Sequence, residues 1–153
     1  MSKIEKPCVL LVDDNEATCT LVRALLRREF AIDVASDGLQ ALELLKTKRY
    51  ASILLDLRMP NLDGFGVLEH LKDHSPSTLS RVLVLTAALT RAEVARAKAY
   101  DICGVVEKPF EVEELLGAVK NCAGAHEGGS FSTVLCTGTP VILLIADLLR
   151  QLR

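Results

Sequence analysis

Apolar runs of four or five residues recur along the chain as CVLLV (8–12), AIDVA (31–35), ASILL (51–55), RVLVL (81–85) and ICGVV (102–106). Each has the length of a strand and is rich in Val, Ile and Leu, the signature of strands buried on both faces. The segments between them repeat their apolar positions with helical period: EATCTLVRALLRRE, GLQALELLKTK, GFGVLEHLKDH, RAEVARAKAY and, after the last run, EVEELLGAVKNCA. Thr90 and Glu93 are spaced as a capping box, and Asp37-Gly38 and Asp63-Gly64 mark helix entries or turns. Five strand and helix alternations predict a doubly wound α/β domain. Right-handed crossovers then cover both faces of a parallel sheet.

The pattern changes after Gly124. Residues 125–133 read as a linker and residues 134–153 as an apolar tail, leaving residues 1–124 as the domain. Thr139-Pro140 reads as an N-cap and first helical residue of a helix to about Arg153. At about 1.5 Å per residue that helix spans roughly 20 Å, short of the ~30 Å hydrocarbon core of a bilayer. Three readings stay open for the tail: an extra helix packed on its own domain, self-association into a homodimer, and docking on a partner or a membrane surface.

With 153 residues, half of them hydrophobic, the chain has ample material for one core. Lys and Arg total 18 against 20 Asp and Glu, a net charge of -2, so no global basic field argues for nucleic acid or an anionic membrane. The N-terminal stretch MSKIEKPCVLLVDD lacks a cleavage-site pattern, and a cytoplasmic location is expected. Five scattered cysteines without a C-x-x-C pair fit reduced core thiols better than a disulfide frame or a zinc site.

Ligands of such sheets bind beyond the carboxyl ends of the strands. There the first strand ends in Asp13-Asp14, the third in Asp56, the fourth in Thr86 and the fifth in Glu107-Lys108-Pro109. Singly, each has a bland explanation, such as a helix cap at Asp14 or Asn15 or a solvated strand end at Lys108. Together they do not, because neighbouring carboxylates repel by roughly 1 to 4 kcal/mol per pair at 4 Å. Lys108 supplies one compensating charge. A hard divalent cation supplies the rest, with Mg2+ favoured and Mn2+ an alternative. A carboxylate beside a cation, facing a hydroxyl and a lysine, has what phosphoryl transfer to Asp56 requires.

The segments LLVDDN, LLDLRMPNLDGFGVLEHL, VLVLTA and VVEKPF stand in an order and spacing that resembles the receiver domains of two-component response regulators, over about residues 6–124. The resemblance is closest in kind to single-domain, chemotaxis-type receivers. It implies a flavodoxin-like (βα)5 fold with strand order 2-1-3-4-5, to which the helical tail is an addition. It implies Asp56 as phosphoacceptor, with Asp13, Asp14, Asp56 and the backbone carbonyl of Arg58 as the metal set. Thr86 and Lys108 would bind the phosphoryl group, and Pro109 would follow a cis peptide bond. The donor would be a sensor histidine kinase or a histidine phosphotransfer protein, as in a phosphorelay. The domain would catalyse only its own phosphorylation and dephosphorylation. Arg58 and Ala88 stand where the family tunes hydrolysis of the acyl phosphate. Thr86 and Val105 stand at its switch positions, but Val105 replaces the usual Tyr or Phe. Tyr100, on the preceding helix, is expected to pack in the core or at its rim.

The residues after 124 are too few for a helix-turn-helix domain with its own core, so no direct nucleic-acid binding is expected. A pseudo-receiver that is never phosphorylated and acts as an interaction or dimerisation module is the alternative. A metal-dependent phosphatase using Asp56 is a third reading, weakened by the lack of a second acid suited to turnover.

Overall fold

The computed structural model describes residues 5–87 and 89–124. Ala88 and the expected linker and tail lie outside them. The strands are β1 (Cys8–Val12), β2 (Ala31–Ala35), β3 (Ser52–Leu55), β4 (Val82–Ala87) and β5 (Gly104–Lys108). The helices are α1 (Glu16–Leu26), α2 (Gly38–Thr47), α3 (Gly64–His74), α4 (Pro76–Leu79), α5 (Arg91–Lys98) and α6 (Val112–Gly124). The sheet is wholly parallel in the order β2-β1-β3-β4-β5, as expected of a flavodoxin-like receiver fold.

Alternation within the central strands divides the core in two. Leu10, Val12, Ile53 and Leu55 face a cluster that includes Ala41, Leu68 and Ala97 from α2, α3 and α5. Val9, Leu11 and Leu54 face the opposite cluster, with Val22 and Leu26 of α1 and Leu115 and Val119 of α6. Each fully buried aliphatic side chain contributes about 1.5–3 kcal/mol. The strands must therefore be apolar on both faces, which is why they read as nearly unbroken runs.

The helix signals act as expected. Asp37 and Asp63 cap α2 and α3, accepting from Gln40 N and Gly66 N. Thr90 and Glu93 form both bonds of a capping box on α5. Asn15 caps α1 through Thr18 N. The single turn α4 escapes the periodic reading because four residues are too few to show a period.

Two expectations change. β4 and β5 begin and end later than their apolar runs, because their ladder continues through Thr86↔Glu107 and Ala87↔Lys108. Thr86, Glu107 and Lys108 thus close their strands, as the reading of the strand ends expects. The cysteines are not all reduced thiols either. Cys103 and Cys122 form a disulfide with a Cα–Cα separation of 5.9 Å, while Cys8 and Cys19 are free. Cys136 lies outside the described residues. The sequence shows no such pairing because packing of α6 beside β5 brings together two cysteines 19 positions apart.

Candidate functional site

Three strands bring their acidic and basic residues to one edge. Asp13 follows β1, and its backbone N–H donates to the Ala35 carbonyl at 3.1 Å. Asp56 follows β3, with its N–H donating to the Val12 carbonyl at 2.9 Å. These bonds prolong the sheet just far enough to fix both carboxylates beside each other. Oxygens of Asp13, Asp14 and Asp56 all lie within 4.8 Å of one another, with Asp13 and Asp56 buried and Asp14 exposed.

Lys108 enters from β5. Its Nζ donates to Asp13 Oδ2 at 2.6 Å and stands 3.8 Å from Asp56 Oδ2. The ammonium is thus held by Asp13 while remaining in range of Asp56. Asp13 Oδ1 accepts from Asn15 N at 2.8 Å, and Asp56 Oδ1 accepts from Arg58 N at 3.3 Å. Burial is the main influence pushing the Asp56 carboxyl above its ordinary range. The charge of Asp13 adds to that push, while Lys108, the Arg58 N–H and the Thr86 hydroxyl nearby oppose it.

Thr86 is fully buried, and its Oγ1 is the one buried side-chain polar atom without a hydrogen-bond partner among the described residues. Leaving a buried hydroxyl unmatched costs about 1–3 kcal/mol. The Lys108-Pro109 peptide is cis, as the resemblance implied.

Other residues expected near the site divide differently. The Arg58 guanidinium reaches Glu93 on α5 at 3.4 Å, tying the loop after Asp56 to the helix after β4. Val105 is half-buried against the first core cluster. Tyr100 sits at the rim, its hydroxyl donating to Glu69 Oε2 at 2.6 Å, which agrees with a packing role.

Gly64 is a positioning residue that the sequence marked only as a helix entry or turn. A Cβ there would meet the Asp56 carbonyl oxygen and stand 2.7 Å from Leu57 Cα. Glycine thus lets the first turn of α3 press directly against the chain that carries Asp56. Asn61 adopts a left-handed φ of 65° in the intervening turn, and its Nδ2 donates to Asp37 Oδ2 at 2.9 Å.

Three clustered carboxylates and one ammonium leave an excess of negative charge served by oxygen donors, a composition that fits a hard divalent cation such as Mg2+. Among the described residues no helix is long and apolar enough to cross a membrane.

Comparison with known proteins shows the family and the fold. Residues 9–120 match the family described as response regulator receiver domain. A probable chemotaxis protein CheY of Rhizobium etli is 32% identical over 127 residues, covering 82% of this chain and 98% of that protein. The transcriptional regulatory protein TctD of Salmonella typhimurium is 39% identical over 108 residues, covering 70% of this chain, and the match spans about half (47%) of that relative's length. Among solved structures, the receiver domain of the sensor histidine kinase PA1611 from Pseudomonas aeruginosa, with a magnesium ion coordinated in its active site cleft, superposes with a TM-score of 0.70. It is 27% identical, and the match covers 78% of this chain and 98% of that one. The Francisella response regulator 1452 receiver domain gives a TM-score of 0.71 at 26% identity, covering 78% of this chain and 98% of that one. The motifs, the strand order and these matches agree: the chain belongs to the response regulator receiver domain family.

Proposed function

We propose that Asp56 accepts a phosphoryl group from a phosphohistidine donor, on a histidine kinase or a phosphotransfer protein, and that the chain signals through the altered protein contacts that follow. The observation that carries this reading is the company Asp56 keeps: two further carboxylates, one lysine shared with Asp13, and the partnerless Thr86 hydroxyl.

In the transfer, an Asp56 oxygen forms a bond to phosphorus as the phosphorus–nitrogen bond breaks, and its electron pair returns to the donor imidazole. Lys108 lies within range of both Asp13 and Asp56, so its ammonium is placed to balance charge on the incoming oxygens. Thr86 has an unused hydroxyl to give to one of them. Asp13, Asp14, Asp56 and the Arg58 carbonyl would hold Mg2+, or Mn2+ in its place, which supplies further positive charge to the phosphoryl oxygens. The cis Lys108-Pro109 bond is part of the turn that follows Lys108 out of β5.

The test is intact mass after incubation with Mg2+ and a small acyl phosphate or phosphoramidate. Wild type should gain one phosphoryl group and Asp56→Asn none. A wild type that stays unmodified overturns the reading.

Val105 favours one competitor. An aliphatic residue at this switch position removes the aromatic side chain that would respond to Thr86, as in a pseudo-receiver acting through constitutive contacts. That competitor predicts equal partner binding by wild type and Asp56→Asn, with or without the phosphodonor.

A further inference from the structure

Arg81 is a buried cation that the acidic site does not use. It precedes β4 at the opposite, N-terminal edge of the sheet and is 8% exposed. Its Nη1 donates to the Tyr50 carbonyl at 2.8 Å, and its Nη2 approaches Thr78 Oγ1 at 3.3 Å. Both acceptors are neutral. A guanidinium carries five N–H donors, so these bonds leave donors unspent.

Beside it opens a cavity of about 330 Å³, with walls that include Pro7, Arg49, Tyr50, Arg81 and Ala123. Two cations therefore share one small space. Among the described residues neither has a carboxylate within 4.0 Å. Asp33 on β2, the acid bound by the Tyr50 hydroxyl, is already engaged by Lys48 and by that hydroxyl, each at 2.7 Å. Burial first, and the charge of Arg49 second, press the Arg81 guanidinium below its ordinary range. Buried charge is normally paired, and here no described group pairs it.

We propose that this cavity is an oxyanion site, in which the guanidinium groups of Arg81 and Arg49 hold a carboxylate or phosphate group. Planar guanidinium forks match both chemistries. At about 330 Å³ the space admits such a group together with several waters. The anion has two sources. One is a solute. The other is this chain: Ala123 forms part of the wall, and the sequence continues from Gly124 through Ala125 and His126 to Glu127, within a reach of roughly 10 Å.

The test is amide NMR on the full chain at constant ionic strength, titrated with inorganic phosphate against a chloride control. A chelator keeps divalent cations from recruiting phosphate to the acidic edge. Saturable shifts at Tyr50, Arg81 and Ala123 are expected, with affinity about tenfold weaker or worse in Arg49→Gln, which loses a charge-assisted bond. Arg49 is exposed, so this variant should keep its fold even if Arg81→Lys does not. Glu127→Gln separates the sources: phosphate binding to wild type and variant alike assigns the site to a solute. Phosphate binding to the variant alone assigns it to the chain's own carboxylate. Absence of saturable shifts in both, or equal affinity in Arg49→Gln, overturns the proposal.

Discussion

The two edges of the sheet carry opposite charge and reach it by different means. At the C-terminal edge, Asp13, Asp14 and Asp56 crowd around a single Lys108, leaving negative charge in excess. At the N-terminal edge, Arg81 and Arg49 share a cavity without a described acid. The acidic edge is assembled from residues next to strand ends, fixed by the sheet's own hydrogen bonds. The Arg81 backbone is likewise tied to the sheet, its carbonyl accepting from Ile53 N at 2.8 Å, but its guanidinium is placed by its bonds to the Tyr50 carbonyl and Thr78 hydroxyl, with Arg49 contributed by the segment before β3. The lesson is that a doubly wound sheet separates unlike charges by the length of its strands, so each edge can be tested alone.

The largest expected effect is chemical. Asp56→Asn should abolish phosphoryl uptake, read by intact mass, while leaving phosphate-dependent shifts at Tyr50 and Arg81 unchanged. Loss of both would break the independence of the edges.

Next comes Lys108→Met, which removes the only cation paired with buried Asp13 among the described residues. In chelator it should cost about 3 kcal/mol in denaturant unfolding, the scale for breaking a buried pair from one side. A saturating divalent cation should recover part of that loss, because binding to the folded state adds about 2.7 kcal/mol at a hundredfold excess over Kd. No recovery would argue that the acidic edge does not bind the ion.

Gly64→Ala should cost about 1–3 kcal/mol, since the added methyl meets backbone that cannot swing aside. Its phosphorylation rate should fall as well, because the displaced atoms carry Asp56. A stability loss with an unchanged rate would show that the approach of α3 shapes the fold and not the acid.

The smallest effect is expected near the basic edge. Hydrogen bonds from Lys48 first, and then from the Tyr50 hydroxyl, hold the Asp33 carboxyl below its ordinary range. The folded value lies below the unfolded value of about 3.9, so this contribution is present above that pH and lost as pH falls through the folded value. The pair is partly exposed, so Asp33→Asn should cost less than about 1 kcal/mol at neutral pH and nothing at strongly acid pH. Urea unfolding at the two pH values checks the sign.

The acidic edge was legible because each of its groups adjoins an apolar run: Asp13 and Asp14 after CVLLV, Asp56 after ASILL, Thr86 after RVLVL, Lys108 just past ICGVV. The basic edge was not, since Arg49 and Arg81 precede strands, where an arginine normally reads as a solvated flank. Arg81 is buried, with its guanidinium bonded to the Tyr50 carbonyl and the Thr78 hydroxyl. The Cys103–Cys122 pair and the Arg58–Glu93 contact were hidden for a similar reason, as both depend on how elements pack and not on a local period.

By itself, the sequence determined the period of each segment, the capping box of Thr90 and Glu93, the helix entries or turns at Asp37 and Asp63, and hence the parallel sheet and the edge that gathers the acids. Those features depend on neighbours along the chain, within a turn or a strand. Only the tertiary structure decided which partner each charge found. Lys108 settled on Asp13, Thr86 kept an unmatched hydroxyl, Gly64 admitted α3 to the back of Asp56, and Arg81 was buried without an acid. Burial and partner choice arise from packing across the sheet, which no local pattern specifies.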